Sequence, residues 1–235
     1  MKREIITTAD GSSTIHLPDW NEQYHSKHGA IQEAYHVFIK HGLHHVFSLS
    51  RKEPDVTSIT VEKPNTISIL EIGFGTGLNA FITYLEVEKL KLKIDYVGVE
   101  GYPVVMDEIK GLNYTSELKA EDKNNIFQQL HQTSWEAQYN IGAYFSIIKQ
   151  QKMFDEIDAQ NTFNLIYFDA FGARVQPELW TETIFKKMYL ALKEHGVLVT
   201  YSAKGSVRRA MQAVGFTVER LPGPPGKREM LRATK

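Results

Sequence analysis

A short β-rich run that ends in three alternating glycines is the feature that most narrows the folds open to this chain. TISILEIGFGTG starts at residue 66, and a helical pattern runs from Asn79 to Leu90 directly after it. Glycines at such a turn accept positive φ and let the backbone approach a ligand. The helix that follows presents free N–H groups and the positive end of its dipole. The segment therefore predicts a strand, a ligand-binding turn and a helix.

The rest of the chain alternates between strand-like and helical segments. Helical patterns cover 179–193 and 207–214. The strand-like segments after the glycine turn are KIDYVGVE, YFSII, FNLIYFDAF, GVLVTYS, GFTVERL and EMLRAT. This alternation predicts an α/β, Rossmann-like fold with a mostly parallel seven-stranded sheet and helices on both faces. The last two strands are joined by PGPPGKR, which is too short for a crossover helix, so we expect them to pair antiparallel.

The chain before the glycine turn is expected to extend a single domain, because 235 residues leave little room for two. A helical pattern with one apolar face begins at Ile31, and Gly42 is its expected end. Residues 51–66 have the composition of a linker or an irregular strand. We therefore divide the chain into an N-terminal extension, 1–66, which contributes to the substrate site, and an α/β domain, 67–235.

Composition excludes several kinds of site. The chain has no cysteine, which removes disulfides, thiolate nucleophiles and cysteine-based zinc sites. Histidines crowd the N-terminal part without an H-E-x-x-H frame, so no metal site is expected. The absence of a signal peptide and of a membrane-spanning run predicts a cytoplasmic protein. Because the net charge is −1, any contact with nucleic acid must depend on local basic patches.

The glycine spacing indicates the kind of ligand. Gly73, Gly75 and Gly77 form G-x-G-x-G rather than the G-x-G-x-x-G of dinucleotide enzymes, which disfavours a nicotinamide dehydrogenase. Glu71 precedes the turn and can attract an ammonium group, directly or through water. Glu100 ends the second strand, 23 residues after the last glycine, where a carboxylate can accept both hydroxyls of a ribose.

An acid also ends the fourth strand, where the reacting groups would meet. Asp169 is expected beside the glycine turn, and it can orient an amine nucleophile and stabilise the positive charge that develops on it. Phe171 can stack on a base or pack in the core. Candidates for lining a substrate pocket, if they are not ordinary surface residues, are Tyr24, His25, His28 and Glu33.

Several segments together resemble a family of bacterial tRNA-modifying methyltransferases. They are YHSKHGAIQEAYHVF, LEIGFGTGLN, GVEGYPV, DAF with PELW, VRRAMQAVGF and GKREML. The family comprises the stand-alone MnmD type and the methyltransferase domain of bifunctional MnmC, which act on the wobble uridine of tRNA. The resemblance implies a class I methyltransferase that uses S-adenosylmethionine. The methyl acceptor would be the 5-aminomethyl group of (2-thio)uridine 34, and the FAD-dependent oxidase domain of the bifunctional form would be missing.

The resemblance also assigns roles to residues. Glu71 and the three glycines of the turn would hold the methionine part of the cofactor, Glu100 would hold the ribose, and Asp169 would lie between the sulfonium and the amine. The family commonly has Gly-Asp after the third strand, where the acid contacts adenine, whereas Gln151 stands there in this chain and can accept a hydrogen bond. Arg174 stands near the position of a common lysine.

Contact with tRNA requires cations for its phosphates. The candidates are Lys204, Arg208 and Arg209, near the start of the helix after the fifth strand, with Lys227 and Arg228 in the PGPPGKR loop. Solvated charges are the alternative interpretation of these residues.

Two other classes of function fit parts of the sequence. A small-molecule amine methyltransferase or an aminopropyltransferase uses a similar sheet, although the second acid of a polyamine-binding D-x-x-D is missing after Asp169. A non-catalytic RNA-binding module that has kept the sheet is the other alternative.

Overall fold

The computed structural model describes residues 2–50 and 66–235. The expected linker or irregular strand over 51–66 therefore falls outside the described residues, except for Thr66. The described part contains a small three-stranded sheet near the N-terminus and a large eight-stranded sheet. The small antiparallel sheet comprises β1 (Glu4–Thr7), β2 (Ser13–Leu17) and β3 (Glu22–Gln23), and the sequence patterns had not predicted it.

One long helical segment follows the small sheet. It begins as α1 (Ala30–Ala34), continues as a π-helix (Tyr35–Leu43) and ends as α2 (His44–Ser50). The expected helix end at Gly42 is wrong, because the helix continues past it. A Cβ on Gly42 would lie 3.1 Å from Val199 Cγ2 and 3.2 Å from Tyr167 Cε1. The glycine therefore permits close packing of this helix on the large sheet.

The large sheet carries the Rossmann-like alternation that the sequence predicts. Its strands are β4 (Thr66–Ile72), β5 (Lys93–Val99), β6 (Gln138–Ile141), β7 (Phe145–Gln150), β8 (Phe163–Phe168), β9 (Leu192–Thr200), β10 (Thr217–Pro222) and β11 (Glu229–Thr234). The helices between them are α3 (Leu78–Leu90), α4 (Met106–Lys110), α5 (Tyr114–Glu117), α6 (Asn124–Gln132), α7 (Glu182–Ala191) and α8 (Gly205–Ala213).

Strand pairing confirms the predicted fold class. The order is β10-β11-β9-β8-β4-β5-β7-β6, with parallel pairing from β9 through β7 and antiparallel pairing at both edges. β10 and β11 pair antiparallel, as the short loop between them predicts. The sheet has eight strands among the described residues instead of the expected seven, because β6 forms a hairpin with β7.

The order of the strands fixes where a ligand can bind. The chain leaves β4 to form β5 and β7 on one side, then returns to form β8 on the other side of β4. Ligands in such sheets bind at the carboxyl ends of the strands beside this reversal. Apolar clusters cover both faces of the sheet. One lies under the long N-terminal helix, α3 and α6, and the other lies under α7 and α8.

Helix α7 is shorter than its apolar pattern suggested. The predicted helix over 179–193 starts instead after a 3₁₀ turn, Pro177–Trp180. The side-chain oxygen of Thr181 accepts a hydrogen bond from the Ile184 N–H and caps the new start. At the other end Leu192 has extended dihedral angles and begins β9.

Candidate active site

A cavity of about 680 Å³ opens at the carboxyl ends of β4, β5 and β8. Its volume lies within the range of pockets that hold nucleoside-sized ligands. The glycine turn forms one wall, and the N-terminal extension closes the opposite side. The lining includes Arg3, Trp20, Tyr24, His25, Gly73, Gly75, Glu100, Tyr102, Met153, Phe154, Asp169 and Phe171.

The turn after β4 has the left-handed backbone that its glycines predict. The φ angles of Gly73, Gly75 and Gly77 are 86°, 49° and 70°. A Cβ on Gly73 would lie 2.8 Å from the carbonyl oxygen of Asp169, and one on Gly75 would lie 3.0 Å from the Tyr24 ring. The turn therefore passes between β8 and the extension with no room for side chains, so bare backbone faces the cavity.

Glu100 lies on the rim of the cavity at the end of β5. Its Oε2 accepts a hydrogen bond from the Gly75 N–H at 3.0 Å, and its Oε1 accepts one from the Tyr102 N–H at 2.9 Å. These two bonds fix the carboxylate against the glycine turn. Each oxygen keeps further acceptor capacity, which a ribose hydroxyl can use.

A second acidic group lies at the opposite end of the cavity. The side chain of Asp169 is 5% exposed. Its Oδ2 accepts a hydrogen bond from Asn79 Nδ2 at 2.8 Å, and the same amide nitrogen donates to Glu71 Oε1 at 2.9 Å. Tyr96 completes the cluster by donating to Glu71 Oε2 at 2.8 Å. One amide group thus holds two buried carboxyl groups together.

Burial changes the protonation of this acidic cluster. The pKa of Asp169 is raised to about 7, mainly by burial and further by the nearby Glu33. The hydrogen bond from Asn79 and the charge of Lys227 act in the opposite direction. Burial also raises the pKa of Glu71 well above its ordinary value. Near neutral pH, Asp169 is therefore present both as the carboxylate, which accepts hydrogen bonds, and as the carboxylic acid, which can also donate one.

His25 lies beside Asp169 in the wall of the cavity. Its Nδ1 is 4.0 Å from Asp169 Oδ2, and its Nε2 is 2.7 Å from Thr76 Oγ1. Tyr114 donates its hydroxyl proton to the same Thr76 oxygen at 3.1 Å. Burial lowers the pKa of His25 to about 4, so the ring is neutral at pH 7. The network anchors a neutral imidazole beside Asp169.

The predicted cofactor residues do not all reach the cavity. Gly73, Gly75 and Glu100 line it, whereas Gly77 lies under the turn, where a Cβ would meet His131. Glu71 is fully buried beneath the turn and is held by Tyr96 and Asn79 instead of facing the ligand space.

Gln151 lies beyond the cavity wall. It follows the end of β7, is exposed, and donates its backbone N–H to Glu136. The wall on that side comes from Met153 and Phe154. The structure therefore does not place the Gln151 amide where it was expected to meet the adenine.

Two of the predicted substrate residues pack together at the cavity. The rings of Tyr24 and Phe171 both line it and meet edge to face at 5.0 Å. Arg174 points elsewhere: its Nη2 donates to the carbonyl oxygens of Trp20 and Asn21 and contacts Glu22 at 3.2 Å. The arginine therefore joins the loop after β8 to the extension.

The remaining predicted substrate residues lie behind this wall. Glu33 is buried and forms an ion pair with Lys227, whose ammonium lies 3.9 Å from the centre of the Tyr201 ring. Tyr201 in turn donates its hydroxyl proton to the carbonyl oxygen of Ala170. The exposed His28 lies against the loop that carries Lys227 and the exposed Arg228. Arg208 lies on α8, and its buried Nε has no hydrogen-bond partner among the described residues.

Sequence patterns had missed several residues of the site. Asn79 and Tyr96 organise the acidic cluster, Thr76 anchors His25, and Trp20 and Tyr102 form parts of the wall. Asn79 could have been predicted from the sequence, because it is a polar side chain in the first turn of a helix that begins at the ligand-binding glycines. Tyr114 and Trp20 could not have been predicted, because their neighbours are determined by tertiary packing.

Comparison with known proteins identifies the class of enzyme to which this chain belongs. Residues 115–235, just over half of the chain, match a protein family described as S-adenosyl-L-methionine-dependent methyltransferase. The chain belongs to this family. S-adenosylmethionine is therefore its cofactor, and the chain is a methyltransferase. The fit is supported by the bare backbone at Gly73 and Gly75 and by the free acceptor capacity of Glu100.

Individual relatives cover nearly the whole chain. The tRNA 5-methylaminomethyl-2-thiouridine biosynthesis bifunctional protein MnmC of Hydrogenovibrio crunogenus is 26% identical over 241 residues, which include 97% of this chain. The Burkholderia thailandensis protein of the same name is 27% identical over 240 residues, again 97% of this chain. The chain spans only 33% and 34% of the lengths of these relatives.

Solved structures agree with the fold. The crystal structure of MnmC2 from Aquifex aeolicus is similar over 99% of this chain and 69% of that chain, with a TM-score of 0.76 and 25% identity. Spermidine synthase from Thermotoga maritima is similar over 98% of this chain and 72% of that chain, with a TM-score of 0.51 and 16% identity. The second likeness concerns the fold alone.

Two further observations concern the described residues only. No group of three or more histidine, aspartate or glutamate side chains within 2–50 and 66–235 is arranged to hold a metal ion. None of the helices in the same ranges combines the length and the apolar character needed to cross a bilayer.

Proposed function

We propose that this methyltransferase acts on the wobble uridine of tRNA. It would convert 5-aminomethyl-(2-thio)uridine at position 34 to 5-methylaminomethyl-(2-thio)uridine, in the cytoplasm. The observation that carries the proposal is the buried Asp169 carboxyl group at the closed end of the cofactor cavity, in a chain whose relatives are named for making this nucleoside. A carboxyl group there suits a primary amine, which needs an acceptor for its N–H groups.

Each end of the cavity has its own task in this proposal. Backbone at Gly73 and Gly75 and the Glu100 carboxylate would hold the cofactor, as the family resemblance implies. The bound cofactor supplies a methyl group on a positively charged sulfur. Asp169, as the carboxylate, would accept a hydrogen bond from the amine, direct its lone pair and stabilise the positive charge that forms on nitrogen.

The walls around Asp169 would control water and orientation. Tyr24, Phe171 and Trp20 form an aromatic group beside it, with the Trp20 and Phe171 ring centres 5.8 Å apart. Such rings can cover a uracil ring and exclude solvent from the reacting atoms. Since Trp20 and Tyr24 belong to the N-terminal part, residues 1–66 would contribute to the substrate site and residues 67–235 would form the methyltransferase domain.

The direct test is mass spectrometry of nucleosides from tRNA that carries the 5-aminomethyl base. After incubation with the chain and S-adenosylmethionine, we expect a gain of one methyl group on that nucleoside. Asp169→Ala should abolish the gain, whereas the matched control Asp158→Ala, at an exposed acid, should retain it. Methylation of free small amines with no change in the tRNA would contradict the proposed substrate.

The tRNA would reach the cavity over a basic surface. Lys204, Arg209 and Arg228 are exposed; Lys204 directly precedes α8, and Arg209 lies in the middle of that helix. Lys227 is a weaker candidate for a phosphate contact, because it is already paired with Glu33. We assign these residues to the tRNA interface because they are charged and exposed. Contacts between cations and phosphates contribute affinity and do not depend on the base sequence.

Charge reversal at this surface tests the proposed contact. The double substitution Arg208→Glu and Arg209→Glu should weaken tRNA binding and reduce the slope of log affinity against log salt by about 1 to 2. Affinity for S-adenosylmethionine should not change. Filter binding at several salt concentrations gives the slope, and an unaltered slope would remove these arginines from the tRNA interface.

A further inference from the structure

A second cavity lies behind the glycine turn. Its volume is about 270 Å³, and it shares Gly75 and Val105 with the cofactor cavity. The rest of its wall comes from the loop after β5, from α6 and the segment after it, and from β7. The lining residues include Phe74 of the glycine turn, together with His131, Trp135 and Lys149.

Lys149 brings a positive charge into this wall. The residue is 1% exposed, and its Nζ donates a hydrogen bond to the His131 carbonyl oxygen at 2.6 Å. The same ammonium lies 5.0 Å from the centre of the Trp135 ring and 5.9 Å from that of Phe74. All three groups that the ammonium contacts also line the cavity.

The position of Lys149 in the sheet explains why its charge is not neutralised. Lys149 on β7 pairs with Gly98 on β5, and Gly98 pairs with Glu71 on β4. The Phe74 ring fills the space where Gly98 lacks a side chain, with Cδ2 2.5 Å from an ideal Cβ. Glu71 lies two strands away, roughly 10 Å across the sheet, and is held by Tyr96 and Asn79.

Among the described residues, the Lys149 ammonium group therefore has no carboxylate paired with it. Within residues 2–50 and 66–235, no carboxylate lies within 4.0 Å of Lys149 Nζ. An ammonium has three N–H donors, and the His131 carbonyl accepts one of them. Burial lowers the pKa of Lys149 to about 8 and that of His131 to about 3, so at pH 7 the lysine is charged and the histidine neutral. A buried cation of this kind is costly unless an anion joins it.

We propose that the second cavity is a binding site for an oxyanion of the phosphate class, held on Lys149 and covered by Trp135. The remaining N–H donors of the ammonium would bind the anion, and the Trp135 ring would exclude water from one side. The phosphate could be free or could belong to a nucleic acid backbone. The site adjoins the cofactor cavity along Gly75 and Val105, and the proposal does not depend on which substrate is methylated.

Titration of the full chain with inorganic phosphate tests the site. Ionic strength is kept constant with sodium chloride, and binding is followed by calorimetry and by tryptophan fluorescence, to which Trp135 contributes. We expect saturable binding with a Kd of about 1 mM or tighter. Lys149→Met should weaken it roughly tenfold or more, because it removes a charge-assisted hydrogen bond. The matched control Lys93→Met, at an exposed lysine on the neighbouring β5, should leave it unchanged.

Thermal unfolding distinguishes loss of the binding site from misfolding of the variant. Because Lys149→Met removes an uncompensated buried charge, it should unfold at the same temperature as wild type or higher without phosphate. Phosphate should raise the unfolding temperature of wild type and of Lys93→Met but not of Lys149→Met. Absence of saturable binding in wild type, or equal binding in Lys149→Met, would overturn the proposal.

A second arm identifies the source of the phosphate. A short single-stranded RNA that lacks position 34 is added to the phosphate-bound protein. Displacement of phosphate from wild type and from the Lys93→Met control would assign the site to a nucleic acid backbone. Failure to displace it would assign the site to a free phosphate group, and either result is compatible with the oxyanion site.

Discussion

The two ends of the cofactor cavity are built in opposite ways. At the end that Asp169 lines, Asp169, Asn79 and Glu71 form a buried polar cluster in which every carboxyl group has a fixed partner. At the other end the wall is open. Tyr102 is 66% exposed and Met153 is 42% exposed.

From this difference we infer that the two ends of the cavity have different roles. A buried and preorganised polar group acts strongly on charge that develops in the transition state, because it needs no reorganisation and is poorly screened. A partly exposed rim that uses backbone and one carboxylate contributes affinity instead. We therefore expect substitutions at the closed end to alter the rate and the stability, and those at the open end to alter mainly cofactor affinity.

Glycine substitutions should show the largest contrast between the two ends. Gly73→Ala would force positive φ on alanine and press its Cβ against the Asp169 carbonyl at 2.8 Å, which should cost about 4 kcal/mol of unfolding free energy. Gly101→Ala at the open end would press its Cβ against the flexible Met153 side chain, with the Lys152 carbonyl oxygen at an ordinary contact distance of 3.9 Å, and should cost less than about 1 kcal/mol. Urea unfolding measures the loss of unfolding free energy in both variants. Equal losses would contradict the expected difference between the two ends.

The pH dependence of stability should show a smaller effect. Asp169 titrates near 3.8 when unfolded and near 7 when folded, so between these values the folded state holds an extra proton. The stability gained from this extra proton is fully present below the unfolded-state pKa. It is lost as the pH rises through the folded-state pKa. Relative to Asp169→Asn, wild type should therefore lose about 2 to 3 kcal/mol between pH 5 and pH 8. Urea unfolding at several pH values gives this difference, and a constant value would mean that the carboxyl group is ionised throughout.

The sequence predicted the parts of the molecule that depend on local patterns. Alternating strands and helices gave the parallel sheet and its antiparallel edge, and the glycines gave the turn after β4. Asp169 and Glu100 were found because acids at strand ends have a fixed position in such a sheet. These features follow from residue periodicity and backbone freedom, which a single sequence shows.

The parts that depend on distant neighbours could not be predicted in this way. Glu71 was expected to face the ligand, but the strand turns its side chain inward to Tyr96, 25 residues away. Arg174 was expected at the substrate, but it binds carbonyl groups of the extension more than 150 residues away. Gly42 looked like a helix end because its packing partners, Tyr167 and Val199, are distant in sequence.

The most direct test of the central claim compares Glu100→Gln with Asp169→Asn for both cofactor affinity and single-turnover methylation at saturating cofactor. Glu100→Gln should raise the Kd for S-adenosylmethionine roughly tenfold and leave the saturated rate within about threefold of wild type. Asp169→Asn should leave the Kd within about threefold and lower the saturated rate roughly a hundredfold. If both substitutions change the same quantity to the same extent, the two ends of the cavity do not have separate tasks.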